Sequence, residues 1–258
     1  MPTEPPWWAP PAMAIQFLTR IPVPATARLD PDTAQRALSR SVGWFPLVGA
    51  LIGTITAGFI LLSGLLWPRI VAVLIGLIVE ARLTGAFHED AVADFCDAFG
   101  GGWDAEAVRR IMKDSRIGSY GALGLGLAVA LRAALLIALP APLIAPALIA
   151  SATFGRLMPV AVMALVAPAP AGTGIAKDIA ANVGLRTILL AILTALPGLA
   201  CFAVRMPMAM AMATVTAIFF IWWFRGLLIR RIGGCTGDCL GFAAYAGQIG
   251  LLLAATAS

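Results

Sequence analysis

The most acidic stretch of the chain is FHEDAVADFCDAFGGG, residues 87–102. Asp90, Asp94 and Asp97 stand at i, i+4 and i+7, so on a helix of about 100° per residue they fall within roughly a 60° arc of one face. Three carboxylates on one face repel one another unless a cation lies between them, and proteins hold Mg²⁺ with one or two carboxylates while substrate phosphates and water complete its shell. The spacing predicts a Mg²⁺ site for a diphosphate substrate, and the alternative is a solvated acidic helix end.

The only histidine of the chain, His88, lies two residues before Asp90. An imidazole titrates near neutral pH, which makes His88 a candidate general base or phosphate ligand. The alternative is an interfacial anchor at the end of a membrane span. We expect either His88 or one of the three aspartates to accept the proton of an attacking hydroxyl group.

Cations and small residues follow the acidic stretch in the segment KDSRIGSYG, residues 113–121. The cations are expected to neutralise phosphate oxygens, and the small residues let backbone amides approach a bound anion. The predicted substrate-binding residues here are Lys113, Ser115, Arg116 and Gly118. Asp114 is expected to orient Arg116 or to add a metal ligand. A basic interfacial helix attracted to anionic lipid would explain the charges but not the glycine spacing.

Two further segments supply candidate substrate-binding residues. The segment RRIGGCTGDCLG near the C-terminus contributes a hydroxyl, a glycine and an acid, although alone it is also an ordinary helix-breaking turn. The N-terminal segment FLTRIPVP carries a cation on an arm that its prolines keep extended. The predicted residues of these two segments are Thr236, Gly237, Asp238 and Arg20.

Two arginines interrupt apolar runs of the sequence, Arg132 and Arg156. An unpaired charge in the middle of a span costs at least a few kcal/mol, so Arg156 is expected to face the interior of a helical bundle or a wet cavity and to help bind phosphate. Arg132 is less informative because such a side chain can snorkel to the interface. Glu80 is a plausible partner for either arginine.

The chain that must position these residues has 258 residues, of which 60% are hydrophobic and 12% charged, with a mean hydropathy of +0.93. Soluble domains carry roughly twice that charged fraction. The apolar runs approach the about 20 residues that a transmembrane helix needs, and they do not alternate as barrel strands do. The sequence therefore predicts an all-α, polytopic membrane bundle of about seven helices, at 42–67, 69–87, 119–139, 143–167, 187–204, 208–228 and 240–257.

The distribution of charge predicts how these helices thread the membrane. With a cytoplasmic N-terminus, most of the 18 basic residues fall in cytoplasmic segments, as the positive-inside rule requires. This threading places the acidic stretch at the cytoplasmic face of the bacterial inner membrane. The longest segment outside the predicted spans, at about 88–118, is too short to build its own core. Residues 1–258 are therefore expected to form a single integral domain.

Four blocks of the sequence resemble the signature blocks of the cobalamin synthase family, the adenosylcobinamide-GDP ribazoletransferases, in order and in spacing. The blocks are FLTRIPVP at 17–24, LTGAFHEDAVADFCDAFGGG at 83–102, IMKDSRIGSYG at 111–121 and GGCTGDCLG at 233–241. The resemblance implies a Mg²⁺-dependent membrane transferase of cobalamin biosynthesis. Its substrates would be adenosylcobinamide-GDP and α-ribazole or α-ribazole 5′-phosphate, and its products adenosylcobalamin or the 5′-phosphate, with GMP released.

The chain departs from the family pattern at four positions. Ala91 and Ala98 replace glycines that usually follow the first and third aspartates, and Cys235 and Tyr245 replace a glutamine and a glutamate of the C-terminal part. Asp238 is then the only C-terminal carboxylate, which disfavours a second metal ion there. The family implies no nucleic-acid partner, lipid is the expected surroundings, and a homo-oligomer is left open.

Two other function classes compete with this interpretation. Membrane phosphotransferases that act on CDP-linked alcohols also hold metal with aspartates, but they carry an Asp-Gly and Ala-Arg pair before two more widely spaced aspartates, an order that this chain lacks. A divalent-cation transporter would need carboxylates at mid-membrane, where only Glu80 lies in the predicted threading. An enzyme of the cobalamin synthase type is therefore the expected function.

Overall fold

The computed structural model describes residues 4–170 and 183–257, and these fold into eleven α-helices without a strand. Two short 3-10 turns at Pro24–Arg28 and Val42–Trp44 connect the first helices. The helices are α1 (Ala9–Leu18), α2 (Pro31–Ser41), α3 (Phe45–Ser63), α4 (Arg69–Thr84), α5 (Phe87–Gly101), α6 (Ala105–Met112), α7 (Ser119–Ala138), α8 (Ala141–Leu165), α9 (Leu185–Arg205), α10 (Pro207–Ile232) and α11 (Gly237–Thr256).

Each predicted span coincides with a helix, which confirms the all-α membrane bundle. Among the described residues six helical segments are long and apolar enough to cross a membrane, and a seventh is added if α4 and α5 together make one span. The helix α4 has 16 residues and would extend only about 24 Å at 1.5 Å per residue. It is therefore shorter than the hydrocarbon core of about 30 Å.

The helix α8 forms the centre of the bundle and packs against α3, α9 and α11. Its most apolar window is 72% buried, whereas that of α10 is 17% buried. The buried residues of α8 include many small side chains, such as Ala150, Ser151 and Ala152. Small residues let helix backbones approach closely, which is how helices pack when lipid offers no hydrophobic contrast. The outer helix α10 instead turns large apolar side chains outward.

A buried ion pair joins α4 to α7 across the bundle. Nη2 of Arg132 lies 2.9 Å and 2.8 Å from the two carboxylate oxygens of Glu80. Arg132 is 1% exposed, and its guanidinium carbon lies 5.6 Å from the centre of the Tyr245 ring. Arg132 therefore does not snorkel to the interface, because Glu80 offers a partner inside the bundle. Of the two arginines, Arg132 is the one that Glu80 pairs with.

The corner between α4 and α5 sets the direction of the acidic helix. Gly85 and Ala86 both have left-handed backbone conformations, with φ of 71° and 58°. These residues end α4 and turn the chain by 88° into α5. Left-handed conformation is ordinary for glycine but unfavourable for alanine, so surrounding contacts must hold the corner in place.

Candidate functional site

The acidic helix α5 has one buried side and one accessible side. Its buried residues include Ala91, Val92 and Phe95, and the helix packs against α7 and α11. On the other side Asp90 is exposed, while Asp94 and Asp97 are partly exposed. The apolar residues between the aspartates therefore attach the helix to the bundle and leave the carboxylates on its accessible side.

The C-terminal block adds a fourth carboxylate to this cluster. Asp238 lies in the first turn of α11, and its charge interacts with those of Asp90 and Asp94. The approach is close because Gly241 of α11 faces Ala91 of α5, where a side chain on Gly241 would overlap the Ala91 methyl group. Residues about 150 positions apart in the sequence thus share one acidic surface.

Thr236 and Gly237 lie at the start of α11. Thr236 caps the helix, because its hydroxyl accepts the amide hydrogen of Cys239 at 3.4 Å. The same hydroxyl contacts the sulfur of Met112, the last residue of α6, at 3.1 Å. The C-terminal block is thereby connected to the end of the helix that precedes Lys113.

Asp97 differs from the other aspartates because each of its carboxylate oxygens accepts a hydrogen bond from a backbone amide. The amide of Gly118 donates to Oδ2 at 2.6 Å, and the amide of Gly121 donates to Oδ1 at 2.7 Å. Both donors lie at the start of α7. In this arrangement Asp97 caps α7 from a neighbouring helix, and its carboxylate would have to turn away from these amides to share an ion with Asp90 and Asp94, because the three side chains do not converge in the described structure.

The loop between α6 and α7 presents the predicted cations. Nε of Arg116 lies 3.0 Å from Oδ1 of Asp114, and its Nη2 lies 2.7 Å from Oδ2. This two-point contact lowers the pKa of Asp114 to about 2, mainly through the side-chain hydrogen bond from Arg116. Lys113, Ser115 and Gly118 are exposed beside the pair. Asp114 thus orients the Arg116 guanidinium.

Arg20 lies at the corner that begins the acidic helix. Its amide donates to the carbonyl of Leu83 at 2.7 Å, and its exposed side chain passes directly over Gly85, where a side chain would overlap it. The extended N-terminal arm therefore brings a cation to the start of α5. The structure groups Arg20 with α5 although about 70 residues separate them in the sequence.

His88 and Arg156 lie on the opposite side of α5 from the acidic surface. His88 is two residues from Asp90, which places the two side chains roughly 160° apart around the helix. His88 is 4% exposed and Arg156 is 1% exposed. Both line an apolar cavity of about 60 Å³ that Phe17, Phe45 and Phe87 help to enclose. Arg156 faces the interior as expected, but the structure does not bring it or His88 to the aspartates.

The donor chemistry of the acidic surface suits Mg²⁺. No three His, Cys, Asp or Glu side chains in residues 4–170 and 183–257 converge closely enough to hold an ion by themselves. Asp90 and Asp94 nevertheless offer hard carboxylate oxygens on adjacent turns of one helix. Because Mg²⁺ usually takes one or two carboxylates and fills its remaining positions with phosphate and water, these residues fit an ion that arrives with its substrate.

Comparison with known proteins gives the family of this chain. The family model CobS, described as cobalamin-5-phosphate synthase, matches residues 11–256. The chain belongs to the cobalamin synthase family. Adenosylcobinamide-GDP ribazoletransferases are similar to it: that of Shewanella frigidimarina is 36% identical, with 92% of this chain and 90% of the relative aligned. That of Ralstonia nicotianae is 38% identical, with 90% and 88% aligned. No solved structure matches the chain.

The interior of this cobalamin synthase family member contains polar residues that the sequence analysis did not assign. Oε2 of Glu89, on the acidic helix itself, has no hydrogen-bond partner among the described residues, and the same is true of Nε of Arg156 and Oε1 of Gln248. Buried polar atoms normally have partners, so an unpaired set often indicates bound water. The charged residues within apolar runs, Glu80, Arg132 and Arg156, were the signals in the sequence for this polar interior.

Proposed function

We propose that this protein is an adenosylcobinamide-GDP ribazoletransferase, which joins α-ribazole or its 5′-phosphate to adenosylcobinamide-GDP and releases GMP. The observation that carries the proposal is the acidic surface, where α11 packs closely on α5 at Gly241 and Ala91 and brings Asp238 within range of the charges of Asp90 and Asp94. Two of the blocks that resemble the family thus contribute to one site. The similar proteins that carry this name span about nine tenths of the chain.

The proposed reaction forms one bond and breaks one bond at phosphorus. The ribose hydroxyl of α-ribazole attacks the phosphorus on the cobinamide side of the diphosphate, and the bridging oxygen leaves with GMP. The hydroxyl proton passes to a carboxylate. We assign this role to Asp90 or Asp94 in preference to His88, because His88 is buried and lines the apolar cavity.

The residues around the acidic surface bind and orient the diphosphate. Asp90 and Asp94 would hold Mg²⁺, which would supply positive charge to neutralise the diphosphate. Stabilising charge as it develops is the main task of a phosphoryl-transfer site. The predicted contacts to phosphate come from the Arg116 guanidinium, the Lys113 ammonium group, the Arg20 guanidinium, the hydroxyls of Ser115 and Thr236, and the amides of Gly118 and Gly237.

We also place the acidic surface at the cytoplasmic face of the bacterial inner membrane. Arg109, Arg110, Lys113 and Arg116 all lie in the segment between α5 and α7, which follows the aspartates in the chain. Basic residues concentrate on the cytoplasmic side of membrane proteins. A nucleotide-linked substrate and a GMP product are soluble and charged, which suits a site that opens to water.

The test of the function uses the purified full-length chain in liposomes. Adenosylcobinamide-GDP with a radiolabelled guanylate group should release labelled GMP only when both Mg²⁺ and α-ribazole are present. Release without α-ribazole would indicate hydrolysis, not transfer. Turnover of a CDP-linked alcohol, or Mg²⁺ flux across the liposome without GMP release, would contradict the proposal in favour of the two competing classes.

A further inference from the structure

We propose that Asp97 is a positioning residue: it fixes the loop of phosphate-binding cations against the acidic surface and does not bind the metal ion. This inference rests on the proposed function for the reaction that it serves. It divides the three aspartates of α5 into two classes with different tasks. Asp90 and Asp94 would bind metal and substrate, whereas Asp97 would hold α7 in place.

The contacts of Asp97 carry the inference. Its two oxygens accept amide hydrogens from Gly118 and Gly121 at 2.6 Å and 2.7 Å. Hydrogen bonds to an ionised acceptor are stronger than those between neutral groups, and a carboxylate at a helix N-terminus also gains from the helix dipole. Releasing either amide would give up this stabilisation and leave an unpaired donor at the start of α7.

The contact of Asp97 with α7 requires a residue without a side chain at position 121. Gly121 is buried, and a methyl group there would overlap the Asp97 carboxylate and crowd the carbonyl of Ala93. The acidic helix and the start of α7 therefore approach too closely for any side chain between them.

The cation loop is held at both of its ends. Before the loop, α6 is attached to the C-terminal block, because Nη2 of Arg109 donates to the carbonyl of Ile232 at 3.1 Å and Thr236 contacts Met112. After the loop, Asp97 holds Gly118. Lys113 and Arg116 lie between these two attachments, so their distance from the acidic surface depends on Asp97.

Two variants separate a positioning role from a ligand role. Asp97→Asn keeps one acceptor oxygen and turns an amide group toward the second backbone donor. Gly121→Ala keeps every carboxylate but displaces Asp97 from its contact. We expect both variants to raise the KM for adenosylcobinamide-GDP by about tenfold, since each loosens roughly one hydrogen bond to a charged group, and to change kcat less.

Metal affinity and amide exchange provide readouts other than activity. Mn²⁺ binding in the presence of inorganic pyrophosphate should weaken far less in both variants than in Asp94→Asn. Hydrogen exchange of the peptide that spans residues 117–122 should become faster in both variants and stay unchanged in Asp94→Asn. Asp30→Asn is the matched control, because Asp30 caps α2 through the amide of Thr33 at 3.0 Å and lies outside the acidic surface.

The inference is overturned if Asp97→Asn weakens Mn²⁺ binding as much as Asp94→Asn does. It is also overturned if adding Mn²⁺ and pyrophosphate to the unmodified protein speeds exchange at residues 117–122, since a metal ligand would then have released its amides. That second measurement needs no variant and so survives a folding defect. Failure of GMP release would contradict the proposed function but leave both measurements able to decide the role of Asp97.

Discussion

At the scale of single residues, the four carboxylates of the acidic surface are distinguished by what surrounds them. Asp94 interacts with the charges of Asp90, Asp97 and Asp238, so it lies at the centre of the group. Asp97 is held by two amides, and Asp90 is open to solvent. A central carboxylate without a backbone partner is the residue whose charge should matter most for a bound cation.

We predict that Asp94→Asn lowers GMP release by about 10²-fold or more, the range found when one stabilising group is lost from a transition state. Asparagine keeps the size of the side chain and removes its charge, so the response to Mg²⁺ should weaken together with the rate. The measurement is the initial rate of GMP release across a Mg²⁺ titration. Full Mg²⁺-dependent turnover in this variant would rule out the metal assignment, and Asp30→Asn again serves as the control.

The Asp114–Arg116 pair yields a prediction about pH. Arg116 holds the pKa of Asp114 at about 2, below the ordinary value of 3.8. A lowered pKa means that the contribution of the pair is complete above about pH 4 and is lost only as the pH falls toward 2. The pair should therefore be intact at every pH from 5 to 9.

The corresponding measurement compares Asp114→Asn with the unmodified protein at several pH values in that range. We expect a loss of activity below about fivefold, the range of an exposed ion pair, and the same factor at each pH. A factor that changes steeply between pH 5 and 9 would show that Asp114 titrates there, which its contact with Arg116 should prevent.

At the scale of elements, the ion pair between α4 and α7 fixes the short helix that leads into the acidic helix. Glu80 and Arg132 are both buried, and they contact each other through two hydrogen bonds. Because α4 has only 16 residues, it has less apolar surface than the other spans to fix its position in the bundle. The pair therefore supports the position of the corner at Gly85 and, through it, of α5.

We predict that Glu80→Gln destabilises the protein by about 3–5 kcal/mol, because removing one partner leaves a buried charge without compensation. Replacing both residues, as Glu80→Gln with Arg132→Met, should recover part of the loss. The measurement is thermal unfolding in detergent. If the single and double variants are equally destabilised, the unpaired charge of Arg132 is not the cause.

At the scale of the whole molecule, the described helices form a bundle around α8 whose acidic surface lies at one end. Trp103, in the turn between α5 and α6, is 93% exposed, and Val204, near the end of α9, is 83% exposed. In the proposed threading the first lies on the cytoplasmic side and the second at the outer side. These two sites therefore report orientation independently of activity.

We predict that Trp103→Cys, in a chain whose four natural cysteines are replaced, is labelled by a membrane-impermeant maleimide only in inside-out vesicles. Val204→Cys should be labelled only in intact cells or right-side-out vesicles. The reverse pattern would place the acidic surface outside the cell and contradict the proposed location. Labelling of both from one side would contradict the number of spans between them.

The sequence by itself determined the membrane class, the approximate positions of the long helices and the family. Hydrophobic length is a local property of the chain, and the signature blocks are short and contiguous, so neither depends on how the helices pack. The spacing of Asp90, Asp94 and Asp97 likewise predicted one shared helix side, because the helical period is fixed by backbone geometry. These inferences needed no knowledge of contacts between distant residues.

Only the tertiary structure decided which of these residues work together. The corner at Gly85 and Ala86 turns α5 away from α4, α11 brings Asp238 to the aspartates, and α7 occupies Asp97 with its amides. The same packing buries His88 and Arg156 on the far side of α5 and gives Arg132 a partner in Glu80. Such outcomes depend on contacts between helices far apart in the sequence, and periodicity along one segment carries no information about them.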